Sequence, residues 1–338
     1  MQKGEMVYQK LFEDIMLGRL LPGEKLPRGT VLAEQYQVAH LTMRRVLERL
    51  QRDGLVNVRR GTGIFVSNLS VFEEVILITD YMTDRHALFP RPLQIALASS
   101  GFVLNVFDVR ELLNKPGLWR MLTEKSCQYL IFDASRHFPM DKLGEFPAAV
   151  RKIAFNRFEH SQQNYPCETI LCDVVQAGYQ SADALVKNGK KRIAVIGEKI
   201  NDLKSRCGTN FDYMCGVRKR LSEEGLAAAK FDFSGCLTES DAMEWLAAPG
   251  GCDGILSNID YLLVPFVEAA QKLNLRIPDD VAIIGRGDTP FAKNWKLTSI
   301  DVQPELLAKK LVTAIRSASP VKMMIPPKMV FRASCPKK

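Results

Sequence analysis

LPRGTVLAEQYQVAHLTMRRVLERLQRDGLVNVRRGTGIFVS, residues 26–67, changes its hydrophobic period twice. From about Thr30 to Tyr36, and again over roughly 40–53, apolar residues recur at helical spacing. Thr30 is the expected N-cap of the first helix. The second buries Met43, Val46, Leu47 and Leu50 and turns His40, Thr42, Arg44, Arg45, Glu48, Arg49 and Arg52 to its other faces, with Gly54 as its stop. The period then shortens to that of strands. Leu55, Val56 and Val58 read as one strand and Ile64, Phe65 and Val66 as its partner. Arg59, Arg60, Gly61, Thr62 and Gly63 form the tip, where glycine permits positive φ. Upstream, residues 5–19 place Val7, Leu11, Ile15 and Met16 along one side of a further helix that should stop near Gly18.

A helix-turn-helix followed by a two-stranded wing is a DNA-binding arrangement. Its last helix enters the major groove by the N-terminal end, so His40, Thr42 and Arg44 are the candidates for base edges. Arg45 and Arg49 are better placed for phosphate, as are Thr42 and the helix amides. Arg59 and Arg60 at the tip, with Gly61, Thr62 and Gly63, suit the backbone or a minor groove. Charge agrees. The chain carries a formal net charge of +8, and residues 1–70 hold 11 Lys and Arg against seven Asp and Glu, half of the excess in a fifth of the length. On charge alone a solvated helix face accounts for this cluster equally well; the wing tips the reading toward nucleic acid.

The quoted stretch resembles the DNA-binding domain of the GntR family of bacterial repressors over roughly residues 5–67. The two-helix spacing, the TMRRVLERL block, the DGL turn and the RRGTGIFV wing occur together and in order. Two departures stand out. The family usually has an Arg or Glu-Arg pair entering the second helix, where this chain has Arg28-Gly29-Thr30. It usually opens the recognition helix with Ser-Arg, where this chain has Ala39-His40. The first departure loses one DNA contact expected from the resemblance unless Arg28 replaces it; Arg28 and Thr30 join the DNA-contact candidates, and the operator is expected to differ from the family's common one.

We expect a winged helix-turn-helix domain over 1–68, a linker over 69–74 and an effector-binding domain over 75–335. Beyond the linker, strand-like runs alternate with helical ones: VILIT (75–79), FVLNVFD (102–108), YLIFDA (129–134), KIAFNR (152–157), RIAVIGE (192–198), GILSN (254–258) and VAIIG (281–285). Helices are expected near 91–99, 116–125, 141–150, 174–188, 213–224, 239–247, 262–273 and 305–317. This rhythm gives an α/β fold with parallel sheets in two lobes. Ligands of such sheets sit at the carboxyl ends of strands, which nominates Asp80, Tyr81, Asp133, Asn156, Asn258, Asp260 and Asp288. Each is equally compatible with a structural role.

The blocks DVVQAGYQSADALVKNGKKRIAVIG, CDGILSNID, LNLRIPDDVAIIGRGD and LTSIDVQPELLAKKLV resemble, in order, LacI-type effector domains of the periplasmic-binding-protein fold. That resemblance implies a small molecule, often a sugar or nucleobase, held between lobe one (about 75–172 and 290–317) and lobe two (about 173–289 and 318–335). It favours Asn156, Asn258 or Asp260, and Asp288 as contacts. Here too the chain departs. The family's Gly-aromatic-Asp-Asp is Gly285-Arg286-Gly287-Asp288, and the arginine usually found three residues before the glycine equivalent to Gly216 is Tyr213, with Arg206 nearby. Both changes remove parts of the usual sugar clamp.

No CxxC pair, HExxH, GxSxG, Walker or dinucleotide-binding motif occurs, and the four histidines are scattered. No cofactor, metal site or catalytic residue is therefore expected. No apolar run reaches the roughly 20 residues of a membrane span, and the N-terminus has no signal-peptide core, so a cytoplasmic protein is expected. The expected partners are double-stranded operator DNA, a sugar-like effector and a second copy of the chain, because helix-turn-helix proteins usually read two half-sites. The alternative is a small-molecule receptor or enzyme of the same two-lobed fold whose basic N-terminus is incidental.

Overall fold

A computed structural model of the 338-residue chain describes residues 3–16, 19–59, 61–67, 73–79, 90–98, 100–124, 127–133, 138–157, 166–197, 209–232, 237–317 and 319–338. The N-terminal unit runs α1 (Lys3–Met16), β1 (Lys25–Leu26), α2 (Gly29–Gln35), α3 (His40–Arg52), β2 (Val56–Arg59) and β3 (Gly63–Val66). Its core gathers one face of each helix around Leu11, Ile15, Met43, Leu50 and Leu55, each at or below 2% exposure. Full burial of such side chains contributes about 1.5–3 kcal/mol apiece as an upper estimate. The wing is a three-stranded antiparallel sheet in the order β1-β3-β2; β1, two residues long, is too short to leave a periodic trace in sequence. The cap of α2 is not Thr30. Arg28 occupies the N-cap position without a side-chain bond, because the helix already begins at Gly29 and Thr30 lies inside its first turn.

The C-terminal body holds two six-stranded sheets. In chain order its elements are β4 (Glu73–Thr79), α4 (Pro90–Ala98), β5 (Phe102–Asp108), α5 (Val109–Asn114), α6 (Pro116–Glu124), β6 (Tyr129–Asp133), β7 (Arg151–Arg157) and β8 (Glu168–Cys172). There follow α7 (Val174–Lys187), β9 (Ile193–Ile196), α8 (Thr209–Glu223), β10 (Lys230–Asp232), α9 (Glu239–Ala247), β11 (Gly254–Ser257), α10 (Val264–Lys272), β12 (Ala282–Arg286) and α11 (Pro290–Asn294). The chain ends with β13 (Thr298–Asp301), α12 (Pro304–Arg316), β14 (Lys322–Ile325) and β15 (Lys328–Val330). The first sheet is parallel throughout, ordered β14-β8-β7-β6-β4-β5. The second, β10-β9-β11-β12-β13-β15, is parallel except for its β15 edge. Apolar clusters line both faces of each sheet, as parallel sheets require.

Three helical expectations change, one being the short α11, which falls where no helix is expected. Residues 141–150 hold only a 3-10 segment, Met140–Glu145, since Gly144 and Pro147 fall where a longer helix would continue. An unexpected helix, α5, precedes α6; Asp108 caps it by accepting hydrogen bonds from the amides of Arg110 and Glu111. The division of the C-terminal segments between sheets also departs from the expected 290–317 and 318–335. Strand β13 pairs with β12 in the second sheet, α12 packs on the first, β14 pairs with β8 in the first, and β15 returns to the second. The chain thus crosses between sheets near residues 173, 302 and 326. These crossings brace one another: Gln303, held at φ +55, donates from its side chain to the Pro326 carbonyl. Arg151, paired with Glu168 at 2.5 Å, also donates to the carbonyls of Ile315, Ser317 and Ser319, pinning the end of α12 to the first sheet.

Candidate DNA interface and inter-lobe site

On α3, His40, Arg44 and Arg45 are exposed, as are Arg28 and Thr30 before and within α2. Thr42 is half-buried, and a Cβ at Gly4 of α1 would stand 3.0 Å from its methyl group, so its side chain is partly engaged inside the unit. Ala39 caps α3 without a side-chain bond, leaving its first amides open to an anion. Arg44 Nε lies 2.9 Å from Glu48, but both groups are more than half exposed. Water screens such a pair, which is worth little and yields readily to a phosphate or base.

Arg49 behaves differently. Its guanidinium sits 3.8 Å from the Tyr8 ring centroid and 2.7 Å from Glu5, and the Tyr8 hydroxyl donates to Asp53 at 2.5 Å. Burial disfavours the charge on Arg49, yet its hydrogen bond to Glu5 and the charges of Glu5, Tyr8 and Asp53 together outweigh that and hold its pKa above the ordinary value. Burial and the bond to Asp53 likewise push the Tyr8 phenol well up. Arg49 thus joins α1 to α3. Arg49→Ala is expected to destabilise the N-terminal unit by about 1–2 kcal/mol, readable as a lower melting temperature, while Arg45→Ala leaves melting unchanged.

In the wing, Arg59 stacks 4.9 Å over Phe65, and the Thr62 amide closes the turn onto the Arg59 carbonyl. Gly61 and Gly63 have φ of +74° and +131°, which β-carbon-bearing residues rarely tolerate. Arg60 lies outside the described residues. Two residues that sequence reasoning missed belong to this face. Lys25 on β1 lies against the wing: its Nζ is 5.9 Å from the Phe65 ring, and its Cε would be 2.7 Å from a Cβ at Gly63. Leu41 is 58% exposed between His40 and Thr42. Its sequence signal was available, since it falls off the apolar face of α3; Lys25 gave none, because β1 is invisible in sequence.

In the body, Asp80, Tyr81 and Arg206 lie outside the described residues, and so does the side chain of Asn156 at the end of β7. Asn258 is 2% exposed just beyond β11. Asp260 is fully buried; it accepts hydrogen bonds from Ser299 Oγ (2.7 Å) and from the Thr289 amide and hydroxyl (both 2.8 Å). Burial pushes its pKa up against these bonds. Asp288, at φ +49, accepts from Arg332 at 2.5 Å and lies 3.8 Å from Lys293. Both carboxylates therefore fasten the loop after β12 to β13 and to the C-terminal segment. Tyr213 is fully buried in the cluster beneath α7 and α8, and its phenol oxygen has no partner of good hydrogen-bonding geometry. No group of residues suited to a metal occurs among the described residues, and no helix there is long and apolar enough to cross a membrane.

Residues 3–66 match the family of bacterial regulatory proteins described as gntR. The N-terminal unit is a GntR-type helix-turn-helix domain. Residues 182–335 match the periplasmic binding protein-like domain, so a GntR head is joined to a periplasmic-binding-protein-like body. The chain is 25% identical over 314 residues to the arabinose metabolism transcriptional repressor of Geobacillus stearothermophilus, spanning 86% of this chain and 84% of that protein. An uncharacterized protein from Actinobacillus succinogenes shares the fold with a TM-score of 0.64 at 20% identity, covering 77% of this chain and 98% of that one. So does a periplasmic binding protein/LacI transcriptional regulator from Alkaliphilus metalliredigens QYMF complexed with D-xylulofuranose, with a TM-score of 0.59 at 16% identity over 78% and 100% of the two chains.

Proposed function

We propose that this chain is a transcription repressor of carbohydrate-utilisation genes that binds its operator as a homodimer and responds to a small molecule held between the lobes of its body. The observation that carries this reading is the union, in one chain, of a GntR head with exposed cations on α3 and a body of ligand-binding fold. The relative from Geobacillus stearothermophilus, named for arabinose metabolism, supports the carbohydrate setting. In this reading His40 and Arg44 meet base edges, Leu41 meets a thymine methyl, and Arg28, Thr30, Arg45, Arg59, Arg60 and Lys25 hold the backbone or the minor groove. A ligand acts by binding one arrangement of the two lobes more tightly than the other, and so shifts the spacing of the paired heads.

Selection of operator fragments from random DNA, followed by anisotropy titrations at several salt concentrations, tests the reading. A regulator prefers the selected site and loses affinity steeply as salt rises. Equal binding to every sequence would favour a receptor or enzyme with an incidental basic end. Arg44→Ala is expected to cost about 1–3 kcal/mol on the selected site and to relax its base preference, whereas Arg45→Ala weakens all DNA evenly. Sedimentation on operator DNA should show two chains per site; one chain at every concentration would remove the dimer.

A further inference from the structure

We propose that the body recognises an anionic effector, a small polyol bearing a carboxylate or phosphate, and that Arg286 is the residue that binds the anion. This rests on the reading of the body as an effector-binding unit and names the ligand's class.

Arg286 closes β12 at its carboxyl end, the end at which parallel sheets present ligand contacts. Side chains alternate along a strand. A Cβ at Gly285 would lie 2.1 Å from Asp260, while Ala282 and Ile284 face the α7–α8 cluster that holds Tyr213. Arg286 shares the parity of Ala282 and Ile284 and so leaves the strand on the Tyr213 side. Its charge is felt from both sheets. Burial raises the thiol of Cys172, the last residue of β8 in the first sheet, to about 11, and the Arg286 guanidinium is the foremost group pulling it back. Burial likewise raises the Tyr213 phenol, with Ser181 and then Arg286 opposing. Arg286 therefore acts on groups contributed by both sheets.

Three nearby carboxylates are held within the fold. Asp260 binds Ser299 and Thr289, Asp288 binds Arg332, and Asp301 accepts from the Gln303 amide. Asp133, buried at the end of β6, and Asp173 and Asp301 act on Cys172 in the opposite sense, each more weakly than Arg286. Among the described residues Arg286 forms no ion pair, and its Nε is buried without a hydrogen bond. The Tyr213 hydroxyl, buried on the same side, has Ser181 near it but no partner of good hydrogen-bonding geometry. A buried donor left unmade is costly, and a guanidinium fork matches a carboxylate or phosphate with two parallel bonds. Gly287 follows Arg286 at φ +120, so no side chain at that position supplies a compensating charge. The carboxyl end of β12 accordingly offers a cation with no ion pair among the described residues and a buried phenol near it, with Asp133 as a further buried carboxylate nearby.

The test uses the full-length protein in a thermal-shift and calorimetric panel. D-glucuronate and D-galacturonate probe carboxylates, D-glucose 6-phosphate and D-fructose 6-phosphate probe phosphates, and D-glucose, D-galactose and L-arabinose serve as neutral counterparts. At least one anion should raise the melting temperature and alter operator binding, and which acid does so decides between carboxylate and phosphate. Arg286→Gln should weaken that ligand about tenfold or more, with Arg286→Lys intermediate, as loss and partial rescue of a charge-assisted bond predict. A neutral sugar that binds wild type and Arg286→Gln equally would overturn the anion assignment and leave the ligand-controlled repressor intact. No response to any anion at millimolar concentration would overturn it as well. Loss of operator preference in the unliganded protein would instead strike the repressor reading itself.

Discussion

Asp260→Ala is expected to lower the stability of the second lobe by about 3–5 kcal/mol, because hydrogen bonds to a buried charged group are worth roughly 1.5–3 kcal/mol each and their donors are left unsatisfied. Three donors from two elements converge on this one carboxylate: the Ser299 hydroxyl on β13, and the amide and hydroxyl of Thr289 at the start of α11. Truncation strands all three in a site closed to water. Denaturant unfolding of the variant measures the loss, and a cost below about 1 kcal/mol, the size of a single ordinary hydrogen bond, would show that water or a rearranged loop replaces the carboxylate. The pH dependence has a definite sign. Burial raises the folded pKa of Asp260 above its unfolded value, so the folded state binds the proton more tightly. Its contribution is then fully present below the ordinary aspartate range, near about 3.9, and declines as pH rises through the folded value. The gap between wild type and Asp260→Ala should therefore narrow from acid toward neutral pH.

Gly216→Ala is expected to be comparably damaging, by about 3 kcal/mol or more, since overpacking a rigid contact costs typically 1–3 kcal/mol and here the obstacle is backbone. Helices α7 and α8 cross in direct backbone contact in the second lobe. A Cβ at Gly216 would stand 1.8 Å from the Val175 carbonyl oxygen, and one at Gly178 would stand 2.0 Å from that of Tyr213. Neither oxygen can swing aside as a side chain would, so the helices must separate and open the cluster that contains Tyr213, Val217 and Leu221. The variant should melt earlier, and its effector response should weaken with it because Tyr213 moves. Gly225→Ala is the control: nothing lies near its Cβ, although its φ of +68° carries a smaller backbone cost. Equal melting of Gly216→Ala and wild type would mean that the two helices are not packed this closely.

The N-terminal unit was legible almost residue by residue. Its helices and hairpin are local structures whose apolar periods stand in contiguous sequence, and the glycines of the turn and wing mark where the backbone must take positive φ. What was hidden there is pairwise. Arg49 reads as one more cation on α3, yet Glu5 and Tyr8, some forty residues away on α1, together with Asp53 one turn on, take it inward. In the body the strand–helix rhythm gave the layers and the parallel sheets. It did not give the assignment of β13, β14 and β15 to alternate sheets, because hydrophobic period reports burial and not the identity of the neighbour.

The candidate site divides along the same line. From sequence alone, the carboxyl ends of strands nominated Asp260 and Asp288 as ligand contacts, and the resemblance to LacI-type domains marked the replaced clamp at Tyr213 and Gly287. Arg286 stood in the quoted motif as a departure without a role. Only the tertiary structure decided how these groups are used. Packing β13 beside β12 brings Ser299 and Thr289 onto Asp260, and the C-terminal segment brings Arg332 onto Asp288. That spends both carboxylates within the fold and leaves Arg286 unpaired among the described residues. A residue's type fixes what charge and donors it carries, and sequence states that outright. Whether those donors are satisfied depends on partners tens of residues away, and long-range packing alone sets who they are.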